Sequence, residues 1–303
     1  MELKIKDFLQ LKEEEVFLAL EKTSEEKDRT YYANLLRTVI TPEQAILWLQ
    51  KWDSVDFDLV KRVIWALGET HNSKVASIIY PYIEHKDEQI AGVAISALLK
   101  TNPKKLREII SKLPLPKSSE MQKRIEYAKR IVENGGKNNC SITILKVEDL
   151  ENVHEIWDSF LTDGYSSGEI CSIECYQRYV PAVVGNLAGL WHTYLIPITG
   201  NLASIALWEI GKMLINTLKK LVDKKERVDI DLDTAVLLAR ATLDKTIAEN
   251  VEIARAVEIC DFLYEEYRYI EARFLVEFSD SKNNYKVVLA SDGKIVSSIL
   301  DKK

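Results

Sequence analysis

Side chains that could hold a metal ion are few and widely spaced in this sequence. The four histidines share no metal-ligand spacing and lie outside any cysteine-rich context: His71, His85, His154 and His192. His71 and His85 fall near the ends of predicted helices, where surface packing is the favoured role. His192 lies in an uncharged stretch, where packing in a helical hairpin explains it as well as a site does. The histidines therefore predict no metal centre.

Two cysteines and three acids are the other candidates for chemistry. Cys171 and Cys175 could share one helical face, but without a cysteine or histidine nearby a structural thiol pair is favoured over metal or redox function. Asp229, Asp231 and Asp233 suggest a cation site or, as the favoured interpretation, acids stabilised by the dipole at the start of a helix. Nucleophile-elbow, phosphate-loop and dinucleotide-binding patterns do not occur. The sequence therefore predicts no catalytic residue and no cofactor, and favours a protein that is not an enzyme.

Aromatic and basic side chains in the first half of the chain are better suited to binding. Aromatic residues often anchor interfaces, although core packing is the alternative for each of them here. Basic residues steer acidic partners. The predicted partner-binding residues are Lys61, Arg62, Trp65, Tyr80, Tyr82, Lys104, Lys105 and Arg107.

These residues lie in a stretch, 56–113, that repeats itself once with a period of 31 residues. Similar side chains stand at matching positions: Asp56 and Asp87, Leu59 and Ile90, Val63 and Ala94, Ile64 and Ile95, Ala66 and Ala97, Leu67 and Leu98, Val75 and Leu106, Ile78 and Ile109, Ile79 and Ile110. The offsets trace one face of a helix, so each unit is predicted to be a helix, a short turn and a second helix. Asn72-Ser73 and Asn102-Pro103 would occupy the turns.

The repeated unit resembles the HEAT family, most closely its short bacterial form. The resemblance rests on Leu59-Val60-Lys61-Arg62 and Ala66-Leu67-Gly68 in one unit, and on Ala94 and Ala97-Leu98 in the next. It implies an α-solenoid that presents a concave surface to a macromolecular partner. The alanines of this pattern would let neighbouring helices approach closely. Because one helical pair cannot bury its apolar stripe alone, three or more units are expected.

A degenerate third unit lies upstream of the two clear ones. Tyr32-Ala33-Asn34-Leu35-Leu36 stands 31 residues before the stretch 63–67. Thr41 and Pro42 are typical of the N-cap and first position of a second helix that runs to Trp52. The charged residues before position 30 predict helices that cap the solenoid.

The sequence as a whole predicts a mostly α-helical protein: an N-terminal HEAT-like α-α solenoid followed by a C-terminal α+β domain with a small antiparallel meander. Residues 1–136 would form the repeat domain, residues 141–228 a mainly helical region, and residues 229–303 a helix followed by antiparallel strands. The stretch 179–208 carries no Asp, Glu, Lys or Arg, and its two Gly-Asn-Leu-Ala motifs predict an uncharged helical hairpin. The strands around the turn at 291–294 resemble the small PepSY or cystatin-like modules.

Finer predictions within the second half concern single elements. Strands are expected at 142–147, 270–278 and 285–289, and helices at 147–161 and 235–248. The stretch 251–259 alternates like a strand but is also compatible with a helix.

Charge and cysteine usage bear on partners and location. The net charge is −6, but between Lys100 and Lys137 eleven basic residues stand against four acidic ones. Another protein is the favoured partner, while the basic stretch leaves nucleic acid open and residues 179–221 leave a membrane open. Bilin lyases also carry HEAT units, so a lyase-type relative is an alternative by analogy of fold alone. Four scattered cysteines and a charged N-terminus predict a cytoplasmic protein, and no small-molecule ligand is identified.

Overall fold

The chain folds as two units. The computed structural model describes residues 11–113, 118–133, 138–146, 174–180, 189–198, 204–223, 227–259 and 272–302. The first unit consists of residues 1–136 and 253–270, and the second of residues 137–252 and 271–303. This division differs from the three consecutive regions expected from the sequence, because a late segment returns to the first unit and the two C-terminal regions form one unit.

The first unit is built on four helices whose first residues are 31 positions apart. They follow α1 (Glu13–Lys22) and are α2 (Glu26–Val39), α4 (Phe57–Glu69), α6 (Glu88–Thr101) and α8 (Ser119–Glu133). Helix α2 packs on α4, α4 on α6, and α6 on α8. The period visible in two units of sequence therefore extends to four helices, including α8, whose side chains had not suggested a repeat.

A second helical segment follows each of the first three of these helices. They are α3 (Pro42–Trp52), the segment 73–84, in which α5 (Ala76–Ile79) lies between two 3₁₀ turns, and α7 (Pro103–Ile110). Each begins after a polar residue whose side-chain oxygen accepts a backbone N–H: Thr41 from Gln44, Asn72 from Lys74, and Asn102 from Lys105. The predicted cap and the two predicted turns are thus confirmed.

Small residues let α4 and α6 approach until their backbones nearly touch. A β-carbon added to Gly68 would lie 2.6 Å from Cβ and 2.7 Å from Cα of Ala97. Ala66, Ala94 and Ala97 are all buried. A β-carbon on Gly92, by contrast, would meet side-chain atoms of α8, the nearest being Cδ of Arg124 at 3.3 Å. The α4–α6 contact is therefore limited by backbone atoms, whereas the α6–α8 contact is not.

Helix α1 packs on the first helical pair through an aromatic stack. The rings of Phe17 and Trp48 lie parallel with their centroids 3.5 Å apart, and both residues are buried. At the start of α1, the carboxylate of Glu13 accepts hydrogen bonds from the N–H and the hydroxyl of Thr41 at 2.7 and 2.8 Å. Helix α1 thus covers apolar surface of α2 and α3, as a capping helix would.

A short extended segment from the second half of the chain completes the first unit. Strand β5 (Glu252–Glu258) carries Arg255, which is only 7% exposed, to the last turn of α2. Its guanidinium donates from Nη1 to the carbonyl oxygen of Arg37 at 2.8 Å and from Nη2 to that of Ile40 at 2.7 Å. The next backbone N–H donates to the carbonyl oxygen of Thr70, beyond the end of α4, at 2.9 Å. The segment therefore supplies donors to carbonyls that helix C-termini leave without intrahelical partners.

The second unit contains a four-stranded antiparallel sheet. Its strands, in the spatial order β2-β3-β1-β4, are β1 (Asn138–Lys146), β2 (Glu174–Val180), β3 (Gly189–Ile198) and β4 (Arg227–Ile230). Helix α10 (Leu232–Ala241) packs on α9 (Ser204–Asp223) and on β1. A β-carbon added to Gly211 of α9 would lie 2.7 Å from Cβ of Ala241, so this helix pair also depends on a glycine.

The second unit also contains an antiparallel meander. It consists of β6 (Phe274–Ser279), β7 (Asn283–Leu289) and β8 (Ile295–Lys302), and α10 packs on β6 and β7. Between β7 and β8, Gly293 has φ of 82° and the side chain of Asp292 accepts the N–H of Lys294 at 2.9 Å. The predicted turn is confirmed.

The uncharged stretch 179–208 does not form the expected helical hairpin. Its described residues lie at the end of β2, in β3 and at the start of α9. Aromatic and β-branched residues in Leu190–Ile198 are compatible with a strand, and pairing with β1 and β2 stabilises the strand over the helix that the repeated Gly-Asn-Leu-Ala motif predicted. Pro197 lies near the end of β3, where it is opposite Asn139 of β1. The described part of region 141–228 holds residues of four strands beside α9.

The structure confirms some of the other predictions for the second half and changes others. Strands β1 and β7 confirm the predictions at 142–147 and 285–289, and the stretch 251–259 contains β5. The helix expected at 235–248 is divided into α10 and α11 (Lys245–Ala248) by a turn. The helix expected at 147–161 and residues His154 and Cys171 lie outside the described residues. The protein is thus mostly helical, with a helix-rich first unit and an antiparallel four-stranded sheet in the second.

Replacing Gly68 by Ala is expected to lower the free energy of unfolding by about 1–2 kcal/mol, because the new methyl group would push Ala97 and its backbone away. Gly92→Ala is the matched control. It needs only a small movement of a flexible arginine and gains up to about 1 kcal/mol of helix propensity, so its unfolding should be unchanged or slightly harder. Urea unfolding followed by circular dichroism at 222 nm measures both. Equal effects of the two substitutions would contradict the close backbone contact.

Replacing Arg255 by Met is expected to destabilise the first unit by about 2–4 kcal/mol, because two carbonyl groups at the end of α2 lose their donors. Hydrogen–deuterium exchange should increase in peptides that cover residues 26–41. Arg107→Met, at an exposed position of α7, is the control and should change neither stability nor exchange. If exchange at the end of α2 stays at the wild-type level in Arg255→Met, the proposed support of this helix is wrong.

Candidate functional site

Ion pairs between the first helices engage one of the predicted binding residues. The carboxylate of Asp58 accepts hydrogen bonds from Nη1 of Arg29 at 2.8 Å and from Nε of Arg62 at 2.9 Å. Nη2 of Arg62 also donates to both carboxylate oxygens of Glu26 at 2.8 Å. These charges join α2 to α4, so Arg62 is part of a contact within the unit.

Lys61 and Trp65 also contribute to contacts within the first unit. Nζ of Lys61 donates to the side-chain oxygen of Gln89 on α6 at 2.9 Å. The ring of Trp65 is partly buried, and the guanidinium carbon of Arg37 lies 5.7 Å from its centroid. The three predicted binding residues on α4 thus serve the packing of α2, α4 and α6.

The hydrogen bonds to Asp58 lower the pKa of its carboxyl group. Burial by itself would raise its pKa, but hydrogen bonds from Arg62 and Arg29 outweigh burial and hold the pKa below its ordinary value of 3.8. The ionised form is therefore the one that the folded protein favours, and the network is a source of stability at neutral pH.

A cleft of about 430 Å³ lies between α3 and the segment 73–84. Its walls combine aliphatic and polar side chains: Ile46, Leu49, Gln50, Asp53, Ser77, Ile78, Pro81, Tyr82 and His85. A volume of this size is typical of sites that hold a small molecule or a side chain of a partner. One of the predicted aromatic anchors, Tyr82, is part of its lining.

The imidazole of His85 is held in place on several sides. Its Nδ1 accepts the backbone N–H of Asp87 at 3.0 Å, so the neutral ring carries its proton on Nε2. Nε2 lies 3.7 Å from Oδ1 of Asp53, which is too far for a hydrogen bond. The rings of Phe57 and Tyr82 lie 5.3 and 6.2 Å from the imidazole. Because Nε2 faces Asp53 and Nδ1 is occupied, the ring has no nitrogen available to activate Ser77.

Asp53 is the negative charge of the cleft. Its Oδ1 is buried and accepts no hydrogen bond from the residues that the structure describes. The charge is felt across the cleft, since burial and then the negative charge of Asp53 raise the pKa of the Tyr82 hydroxyl above its ordinary value of 10. The cleft therefore presents a half-exposed carboxylate, with one buried oxygen, within largely aliphatic walls.

Exposed apolar side chains lie beside the cleft on the second helices. Leu47 of α3 is 57% exposed, and Ile46 and Tyr80 are also exposed. We call the cleft together with Leu47 and Tyr80 the second-helix surface. Tyr80 contacts α7, where Nζ of Lys105 lies 5.8 Å from its ring centroid.

The structure thus brings together some predicted binding residues and separates others. Tyr80 and Lys105 are in contact, Tyr82 lines the cleft, and Lys104 and Arg107 are exposed on α7. The three residues on α4 belong to the packing of the first helices instead.

Asp53 and His85 were missed as members of one site. They are 32 positions apart, close to the 31-residue period, and therefore end successive second helical segments. An alignment of the repeated units would have placed the two residues at neighbouring positions. A search for metal-ligand spacing could not find them, because it compares residues within one helix or strand.

Comparisons with protein-family models, with curated proteins and with solved structures find no match to this chain. Among the described residues, no three His, Cys, Asp or Glu side chains come together as metal ligands. In the same part of the chain, no helix has the length and apolar character needed to cross a membrane.

Asp58→Asn is expected to lower the free energy of unfolding by about 1 kcal/mol at pH 7, a modest loss because the pair is partly exposed. The folded-state pKa is depressed, so the contribution is present above about pH 3.8 and is lost as the pH falls through the lower folded-state value. Thermal melts between pH 7 and pH 3 should show a gap of about 2–4 °C that closes in acid. Glu126→Gln, an exposed position on α8, is the control. A gap independent of pH would contradict the assigned role of the carboxylate.

Proposed function

We propose that this chain is a HEAT-like scaffold or adaptor that acts by binding another protein through its second-helix surface. The observation that carries the proposal is the combination, on neighbouring second helices, of exposed apolar side chains and a cleft that contains the carboxylate of Asp53. Leu47, Tyr80 and the cleft at Tyr82 together have the composition of a binding patch, with aromatic and aliphatic anchors around a polar centre.

The repeating architecture supports this proposal. Helix starts at 31-residue intervals, alternation of first and second helices, and close packing at Gly68 are the features that HEAT-like solenoids share. A stack of this kind presents its second helices as one continuous surface, on which several partner side chains can bind at once. A cytoplasmic location belongs to the same proposal.

The division of charges between the helices supports a surface on one side. Charged residues of the first helices form ion pairs between α2 and α4 and between α4 and α6. On α7, by contrast, Lys104 and Arg107 are exposed on the helix whose Lys105 contacts Tyr80, and they would steer an acidic region of the partner toward the patch.

Site-specific photo-crosslinking in cells that express the full chain tests the proposal. A benzoylphenylalanine in place of Leu47 should give discrete crosslinked products with another protein, whereas the same group in place of exposed Glu126 should not. A Leu47→Glu substitution combined with a crosslinker at Tyr80 should reduce the products at least about tenfold, since a charge would be buried at the interface. Products of the same size and yield from positions 47 and 126 would contradict a protein-binding second-helix surface. The absence of any product from position 47 would contradict it as well.

A further inference from the structure

The cleft residues point to the chemistry of one partner side chain. We propose that the cleft formed by α3 and the segment 73–84 receives a lysine or arginine side chain of the partner, with its cationic head on Asp53. The inference rests on the proposed function, because it assigns one contact of the second-helix surface to a defined residue class.

The carboxylate of Asp53 is accessible in part. Its side chain is 49% exposed, while its Oδ1 is buried and accepts no hydrogen bond from the described residues. Nε2 of His85 lies 3.7 Å from Oδ1, which is beyond hydrogen-bond distance. A cationic head can therefore reach the exposed part of the carboxylate and form charge-assisted hydrogen bonds there.

The charge of the cleft is negative. Asp53 is the one carboxylate among the nine lining residues, and none of the nine is a lysine or an arginine. The imidazole of His85, when neutral, adds no charge. A cation therefore complements the cleft, whereas an anionic group would meet Asp53 at short range in a partly desolvated site.

The walls of the cleft combine aliphatic side chains with one carboxylate. Ile46, Leu49, Ile78 and Pro81 give the cleft an aliphatic lining beside Asp53. Long basic side chains combine the matching properties, a methylene stem and a charged head. The ring of Tyr82 offers an aromatic face for an arginine or an ammonium group. A short polar side chain could not cover the aliphatic walls and reach Asp53 together.

The rigid surroundings of the site favour binding without large rearrangement. The His85 ring is fixed by the N–H of Asp87 and by the rings of Phe57 and Tyr82. The wall that faces Asp53 is therefore formed before a partner arrives, which reduces the entropy lost on binding.

Methyl-group NMR of the full chain tests this proposal directly. With carbon-13 in isoleucine methyl groups, the signals of Ile46 and Ile78 report on the cleft walls. The probes are N-acetyl-lysine methylamide and N-acetyl-arginine methylamide, and the uncharged control is N-acetyl-norleucine methylamide, which keeps the aliphatic stem. We expect saturable shifts with both basic probes, at a Kd on the order of 1–10 mM for so small a ligand, and binding about tenfold weaker or less for norleucine.

Two variants assign the effect to Asp53. Asp53→Asn should weaken the basic probes about tenfold or more and leave the norleucine probe unchanged. Glu84→Gln removes one exposed carboxylate from the same segment outside the cleft, and it should bind all probes as the wild type does. A loss in both variants would show a general charge effect and overturn the assignment.

Equal shifts with lysine and norleucine probes, or no shifts at Ile46 and Ile78 at about tenfold the expected Kd, would also overturn the basic-side-chain pocket. If Asp53→Asn does not fold, the comparison of basic and norleucine probes on the wild-type protein still tests whether the cleft binds a basic side chain. Failure here is distinguishable from failure of the proposed function, because crosslinking at Leu47 uses no basic probe and lies outside the cleft lining.

Discussion

The constraint on which the first unit depends is the near contact of α4 and α6, where Gly68 meets the backbone of Ala97. Neither helix can bury its apolar stripe alone, and the two stripes can be pressed together only if no side chain separates the helices at this point. The same requirement recurs along the unit as buried alanines on first helices that start every 31 residues.

Close packing of the first helices also distributes the charges. Polar side chains beside the contacts, such as Asp58, Arg62 and Lys61, come within bonding distance of the next helix and are used there. The second helices are not tied together in this way at Leu47, Tyr80 and Tyr82, so apolar area and a cleft stay accessible. One architectural constraint thus accounts both for where the stabilising ion pairs lie and for where a binding surface is available.

Sequence patterns predicted those parts that local chemistry controls. The cap at Thr41 and the turn at Gly293 each follow from side chains within a few positions, and the 31-residue period is visible in the repeated side-chain types. The pattern failed where an interaction depends on distant segments. The extended stretch around Arg255 has no sequence feature that links it to α2, and the uncharged residues of β3 form a strand because β1 and β2 pair with them. For the site, Tyr82 was predicted as a single aromatic, but its juxtaposition with Asp53 and His85 arises from two successive units.

The placement of Arg255 has a consequence for biosynthesis. Helix α2 leaves the ribosome early, but the guanidinium that bonds to its last carbonyls is translated more than two hundred residues later. At about 5–20 residues per second, the nascent helical stack spends on the order of ten to forty seconds without that arginine. During this interval the carbonyl groups of Arg37 and Ile40 have no guanidinium to bond to, so water must supply their hydrogen bonds until Arg255 has been translated.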